Sequence, residues 1–436
     1  MRWWLRAGVM AGCLTGITLL CVALLFGGLL WSNGVTAQQV LSGEGLAQGA
    51  ALNRLVVLAQ DGNVLTMDPD GGNSVALTED AAQGRAYLYP TWSPDGRAVA
   101  FVELTVQEGE AAGASALHIV SQDGREARRI RTEFPPFYLF WSPTSETLAF
   151  LSNWASGLAL RMVDVAGGAT EARTVGEGNP FYFSWEPGGQ SLFAHIGNND
   201  LTFLDTDGNR APLDVAAGQF QAPHWSADGQ RLAFVTEGEN DQNTLNISDA
   251  TGEQVRELAS QRGPLSFNWS PDNDRLAYSH GTQQVGLAAF GPLWVVDVET
   301  NQSWELSKEP VVAFFWSPDG ESVAFLRPEI HDPVERSPEA APLRQNGQLW
   351  LRWHLWNGER TYPLDIFSPS EQFLLNYIRY FDQYAQSVSI WSPDSTHLLY
   401  AGLGEGGLDG IWTLPVAEGS TATRVTRGTL AAWSPR

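Results

Sequence analysis

The seven histidines, His118, His195, His224, His280, His331, His354 and His397, are the first place to look for chemistry. No two of them form a His-x-x-x-His or His-Glu-x-x-His pair that would seat a metal on one helix face. No Gly-x-Ser-x-Gly elbow occurs either, so we expect no catalytic residue, no metal and no cofactor. Asp68-Pro69-Asp70-Gly71 and Asp205-Thr206-Asp207-Gly208-Asn209 have the acidic spacing of a calcium loop, but neither has glycine at the sixth position. They read as hairpin turns. The residues best suited to contact are Tyr377, Arg379, Tyr380, Asp382 and Tyr384, which place three aromatics, a guanidinium and a carboxylate within two helical turns. They are the candidate binding site for a ligand or partner; the alternative is a plug whose aromatics only cover a sheet end.

The element that would carry them announces itself. Ser368-Pro369-Ser370-Glu371 is a capping-box sequence with Pro at the first helical position, and Phe373, Leu374, Tyr377, Ile378, Phe381 and Tyr384 follow at helical spacing. This predicts one amphipathic helix over 369–384. Upstream, Arg327 to Asn346 holds four prolines and four acidic residues where a hairpin turn would suffice. A loop of that length inside a compact fold is functional or disordered. Between them, residues 349–356 alternate an apolar face with one carrying Trp350, Arg352, His354 and Trp356, the pattern of a strand packed against a neighbour.

A repeat organises the rest. Trp92-Ser93-Pro94-Asp95-Gly96 recurs as Trp141-Ser142-Pro143, Trp185-Glu186-Pro187-Gly188-Gly189, Trp225-Ser226-Ala227-Asp228-Gly229, Trp269-Ser270-Pro271-Asp272, Trp316-Ser317-Pro318-Asp319-Gly320, Trp391-Ser392-Pro393-Asp394 and Trp433-Ser434-Pro435. The intervals are 49, 44, 40, 44, 47, 75 and 42 residues, the length of a four-stranded propeller blade except where the insertion lies. An apolar strand leads into each Trp, and a short strand such as Val99-Ala100-Phe101 or Leu276-Ala277-Tyr278 follows the turn. Tryptophan at a fixed blade position belongs between blades rather than to a sugar-binding stripe. The segments at 55–59, 64–68 and 74–78 resemble strands two to four of a blade whose Trp strand is supplied by the residues up to Trp433. The expectation is all-β, a β-propeller over residues 55–436 with eight blades and one blade shared between the ends, six or seven blades being the alternatives.

These motifs resemble the TolB-type propeller repeat, whose signature is this Trp-Ser-Pro-Asp-Gly turn followed by Leu-Ala-Phe. The resemblance spans roughly Leu55 to Arg436. It departs from TolB in having a membrane segment where TolB carries an N-terminal α/β domain and in its higher blade number, so a Tol–Pal role is not implied. Prolyl oligopeptidases have similar propellers, but their hydrolase domain is not expected with this one.

Charge narrows the partners. Against 49 Asp plus Glu stand 26 Lys plus Arg, a formal charge of −23, which repels nucleic acid and anionic lipid. The two cysteines, Cys13 and Cys21, fall in the uncharged run from Ala7 to Trp31, long enough to cross a bilayer. Arg2 and Arg6 precede that run and no basic residue follows before Arg54, which orients the propeller outward. We therefore read 1–36 as a cytoplasmic N-terminus and signal anchor and 37–54 as a flexible tether. Lipidation at Cys13 has too little apolar sequence before it, and cleavage after Ala37 is the secreted alternative. The expected function is protein or peptide binding at the cell envelope, periplasmic or extracellular. The rival is a hydrolase or lyase of surface carbohydrate or peptide using acidic residues near the channel. Membrane fractionation should recover the intact chain; a soluble form beginning at Gln38 would overturn the anchor.

Overall fold

The computed structural model describes residues 53–106, 113–154, 157–198, 200–218, 221–281, 283–285, 288–329, 349–404 and 406–435. The expected anchor, nearly all of the tether and residues 330–346 of the loop lie outside them. No helix among the described residues is long and apolar enough to cross a membrane. What they form is a β-propeller of antiparallel sheets: five of four strands, one of five and one of seven.

Six of the repeat Trp end the first strand of a sheet, as in Arg85–Trp92, Pro136–Trp141 and Phe181–Trp185, with at least three further strands following; Trp391 instead bridges to Leu398 alone, and Trp433 ends the last strand. Val75–Ala76, Val64–Met67 and Leu55–Ala59 make a sheet whose fourth member is Gly428–Trp433, paired Leu55 to Trp433 and Val57 to Ala431. The junction is doubled beyond the strands. Arg54 N–H donates to Ser434 Oγ at 2.9 Å, Ser434 N–H donates to the Arg54 carbonyl at 2.8 Å, and the Trp433 indole donates to Asn53 Oδ1 at 2.5 Å.

Successive sheets are joined by the indoles. Nε1 of Trp92, Trp185, Trp316 and Trp391 donates to the carbonyl of Ala432, Phe140, Asn268 and Phe315 at 3.2–3.3 Å. In every case the acceptor immediately precedes the Trp of the previous sheet. One side chain thus fills the gap between sheets and fixes their relative height.

The turn after each Trp is wired by its own side chains. Ser93 Oγ donates to Asp95 Oδ1 at 2.6 Å and accepts from Ala98 N–H at 3.0 Å, while Asp95 accepts from Arg97 N–H at 3.0 Å. Ser226–Asp228, Ser317–Asp319 and Ser392–Asp394 repeat the bond at 2.5–2.6 Å. The fifth turn residue is left-handed throughout, whether Gly (Gly96, φ 70°; Gly320, φ 74°) or not (Ser145, 63°; Asn273, 65°; Ser395, 60°). The three non-glycine residues have a compensation that the repeat pattern hides. Ser145 Oγ accepts from Asp95 N–H at 3.1 Å, Asn273 Oδ1 from Ala227 N–H at 2.6 Å and Ser395 Oγ from Asp319 N–H at 3.1 Å. Each ties its turn to that of the preceding sheet, offsetting the strain of a side chain at positive φ.

The strand expected within 349–356 is present as Trp350–Trp356, with His354 stacked on Phe325 at 5.3 Å and Trp353 fully buried.

Asn273 offers a clean dissection. Asn273→Ala keeps the strain and loses the bond, and should cost about 2 kcal/mol in urea unfolding. Asn273→Gly loses the bond but relieves the strain, and should fall within about 1 kcal/mol of wild type. Equal losses in the two variants would show that the positive φ carries no strain, and no loss in either would show that the side-chain bridge contributes nothing.

Candidate functional site

The insertion threads the middle of the ring. Instead of one helix over 369–384, the chain forms Glu371–Asn376, a 3-10 turn Ile378–Tyr380 and a second short helix Phe381–Tyr384. Pro369 ends a strand, paired with Gly402, and Ser370 rather than Ser368 is the cap, accepting from Phe373 N–H at 3.1 Å. The break falls at Tyr377 and Tyr380, whose φ/ψ of −124°/−67° and −126°/36° leave the helix. Packing decides this. The Tyr377 ring lies nearly parallel to Phe315 and Phe373 at 5.7 and 5.5 Å, and its hydroxyl donates to the Val388 carbonyl at 3.0 Å. A straight helix could not hold Tyr377 there while also placing Phe381 against Phe314 at 4.8 Å.

Beyond it the segment reaches the first strands of several sheets. Tyr384 meets Tyr138 at 5.0 Å, the Tyr138 hydroxyl donates to the Gln383 carbonyl at 3.2 Å, and Thr91 Oγ1 donates to the Ser387 carbonyl at 3.0 Å. Gln386 Nε2 lies 3.2 Å from His224 Nε2. Residues 377–388 therefore fill the channel as a plug.

The five residues expected to act together are divided by this. Tyr377 and Asp382 are buried, and Tyr384 is half-buried against Tyr138, so none of the three stands free for a partner. Arg379 and Tyr380, the guanidinium stacked over the ring at 5.1 Å, are half-buried. The helix expectation failed because the spacing that suggested one amphipathic face in fact serves neighbours on several sides.

Burial also perturbs the plug's ionisable groups. It pushes the Asp382 carboxyl up to about 6 against the pull of the Gln383 N–H. It drives His224 down to about 3, opposed by a bond to the Asp382 backbone. At neutral pH His224 is uncharged.

Below the plug opens a cup of about 510 Å³. Its wall includes Trp141, Trp185, Trp225, Trp269, Trp316 and Trp391 with the repeat prolines, and its floor includes Ala385, Gln386, Val388 and Ile390. Among the described residues no Asp, Glu, Lys or Arg lines it, in a chain of formal charge −23. Just outside, donors in the turns hold carboxylates below their usual range: burial works upward on Asp228 and Asp272, but Ser226 and Ser270 with backbone N–H groups outweigh it. Placing the repeat tryptophans between sheets is correct, and sequence reasoning missed that the same residues wall a cavity. The signal was present in the repeat: a Trp-x-Pro at one end of every first strand must form a ring around the axis.

No family model matches the chain. A eukaryotic initiation factor is similar in structure, at 12% identity with a TM-score of 0.52, covering 88% of this chain and 99% of that one. TolB from Acinetobacter baumannii is also similar, at 17% identity with a TM-score of 0.36, covering 60% of this chain and 65% of its own length. TolB is thus among the solved structures that the ring resembles. An uncharacterized protein of Agrobacterium fabrum is 24% identical over 202 residues, 43% of this chain and 67% of that protein. These likenesses speak to the fold.

Asp382 gives a pH test with a definite sign. Its folded value lies above the unfolded one near 3.8, so its contribution is favourable below that value and is lost as pH rises through 6. Asp382→Asn should therefore be more stable than wild type at pH 8, by about 3 kcal/mol for a rise of roughly two units. The gap should close below pH 4. His224 acts oppositely, its contribution being present above 6.5 and lost as pH falls toward 3. A gap that does not change between pH 4 and 8 would contradict a buried, ionising Asp382.

Proposed function

We propose that this protein is an exported, membrane-tethered propeller of eight blades that binds a protein or peptide partner at the cell envelope. The seven-stranded sheet counts as two blades, joined only by three residue pairs between Phe367–Pro369 and Gly402–Gly404. The observation that carries the reading is the uncharged cup at the channel mouth, floored by a packed plug. Its volume lies within the range of ligand sites. It favours binding over glycoside chemistry, which needs two carboxyl groups about 5–9 Å apart, whereas none of the described residues lining the cup carries one.

Asn53 and Arg54 lie at the same face. They bond to Trp433 and Ser434, at the Trp end of the closing sheet, and the Trp of six other repeats lines the cup. Arg379 and Tyr380 remain as a secondary contact surface.

Site-specific photo-crosslinking in cells tests this. A photoreactive residue at Ala227, exposed on the cup, should trap a discrete protein species, whereas one at Ala211, exposed on an outer strand, should not. No adduct at Ala227, or identical adducts at both, would contradict the reading.

A further inference from the structure

Building on the binding reading above, we propose that the cup receives the tip of a basic, proline-containing segment of a partner protein. Three features of the site set that chemistry.

The first is the wall. Flat indole and pyrrolidine faces surround the cavity, and such surfaces accept extended proline-rich chain, which enters already ordered and loses little entropy.

The second is the unmet hydrogen bonding. Asn268 lines the cup, is 7% exposed, and its Nδ2 has no partner among the described residues. A guest that answers this donor must bring an acceptor without adding a donor, and proline is the residue whose backbone has a carbonyl and no N–H.

The third is the rim. Asp95, Glu186, Asp228, Asp272 and Asp319 are each the direct chain neighbour of a lining residue. Arg97 pairs with Asp95 and Arg275 with Asp272, leaving Glu186, Asp228 and Asp319 without an ion pair among the described residues. An apolar interior behind an acidic rim fits an uncharged tip with Lys or Arg beside it.

The test uses the full chain in detergent micelles and a fluorescein-labelled peptide of four prolines flanked on each side by two arginines. We expect saturable binding, weakened about tenfold when alanines replace the prolines and about tenfold when glutamates replace the arginines, a loss near 1.4 kcal/mol each. Asn268→Leu should weaken the proline peptide several-fold while leaving the thermal midpoint unchanged or raised. Its backbone carbonyl, which receives the Trp316 indole, stays in place, and removing an unpartnered buried donor costs the fold nothing. Asp319→Asn keeps the turn acceptor and should reduce affinity only for the arginine-flanked peptide. If the alanine peptide binds as well as the proline peptide, or Asn268→Leu binds unchanged, the proline assignment fails. If a labelled neutral hexasaccharide binds and the peptide does not, the proposal is overturned although the cup remains a binding site. If no probe binds and Ala227 traps no protein, the binding reading falls as well.

Discussion

Everything in this ring depends on the pairing of Leu55–Ala59 with Gly428–Trp433. Every other sheet is built from strands close in sequence, so its hairpins are paid for locally. The closing sheet alone joins residues more than 370 positions apart, and the entropy of bringing them together is recovered only when all other sheets are in place. That explains the doubling of the junction by Arg54, Ser434, Asn53 and Trp433 outside the strand ladder. It also removes the two sheet edges that an open ring would expose.

Closure in turn creates the channel, and the channel determines the plug. The first strands converge on an axis too wide for their own side chains to fill, and Phe373, Tyr377, Phe381 and Tyr384 fill it from one segment. This filling is tight enough to carry a buried carboxylate at Asp382 and a buried neutral imidazole at His224, both against their solvation preference. Because the plug occupies the axis down to Ile390, the cup beyond it is a closed-bottomed recess rather than a pore.

Much of the fold was legible from the chain because the repeat is local chemistry written many times. Ser93, Pro94, Asp95 and Gly96 specify a turn by bonds within five residues, so eight copies predict eight turns and the strands they join. The sharing of one sheet between the ends was legible for the same reason, as a count of missing strands. What could not be read locally depends on the ring. The burial of Tyr377, the broken helix and the shift of the cap to Ser370 follow from where Phe315, Tyr138 and Thr429 happen to stand, and these are remote in sequence. The role of Asn273 in bridging to Ala227 was invisible because its departure from glycine looked like tolerance. The cup was invisible because its wall is made of residues whose packing role was already a sufficient explanation.

The closing sheet is the claim on which the rest stands, and native-state hydrogen exchange of the intact chain measures it most directly. If the ring is closed as described, the amides of Val56, Val57, Ala431 and Ala432 exchange only through the same global opening as the central strands of the other sheets, such as Leu148–Phe150. Exchange of the closing-sheet amides at the rate of a fraying terminus, with the other sheets still protected, would mean that the ends do not lock the ring and that the channel, plug and cup have no fixed frame.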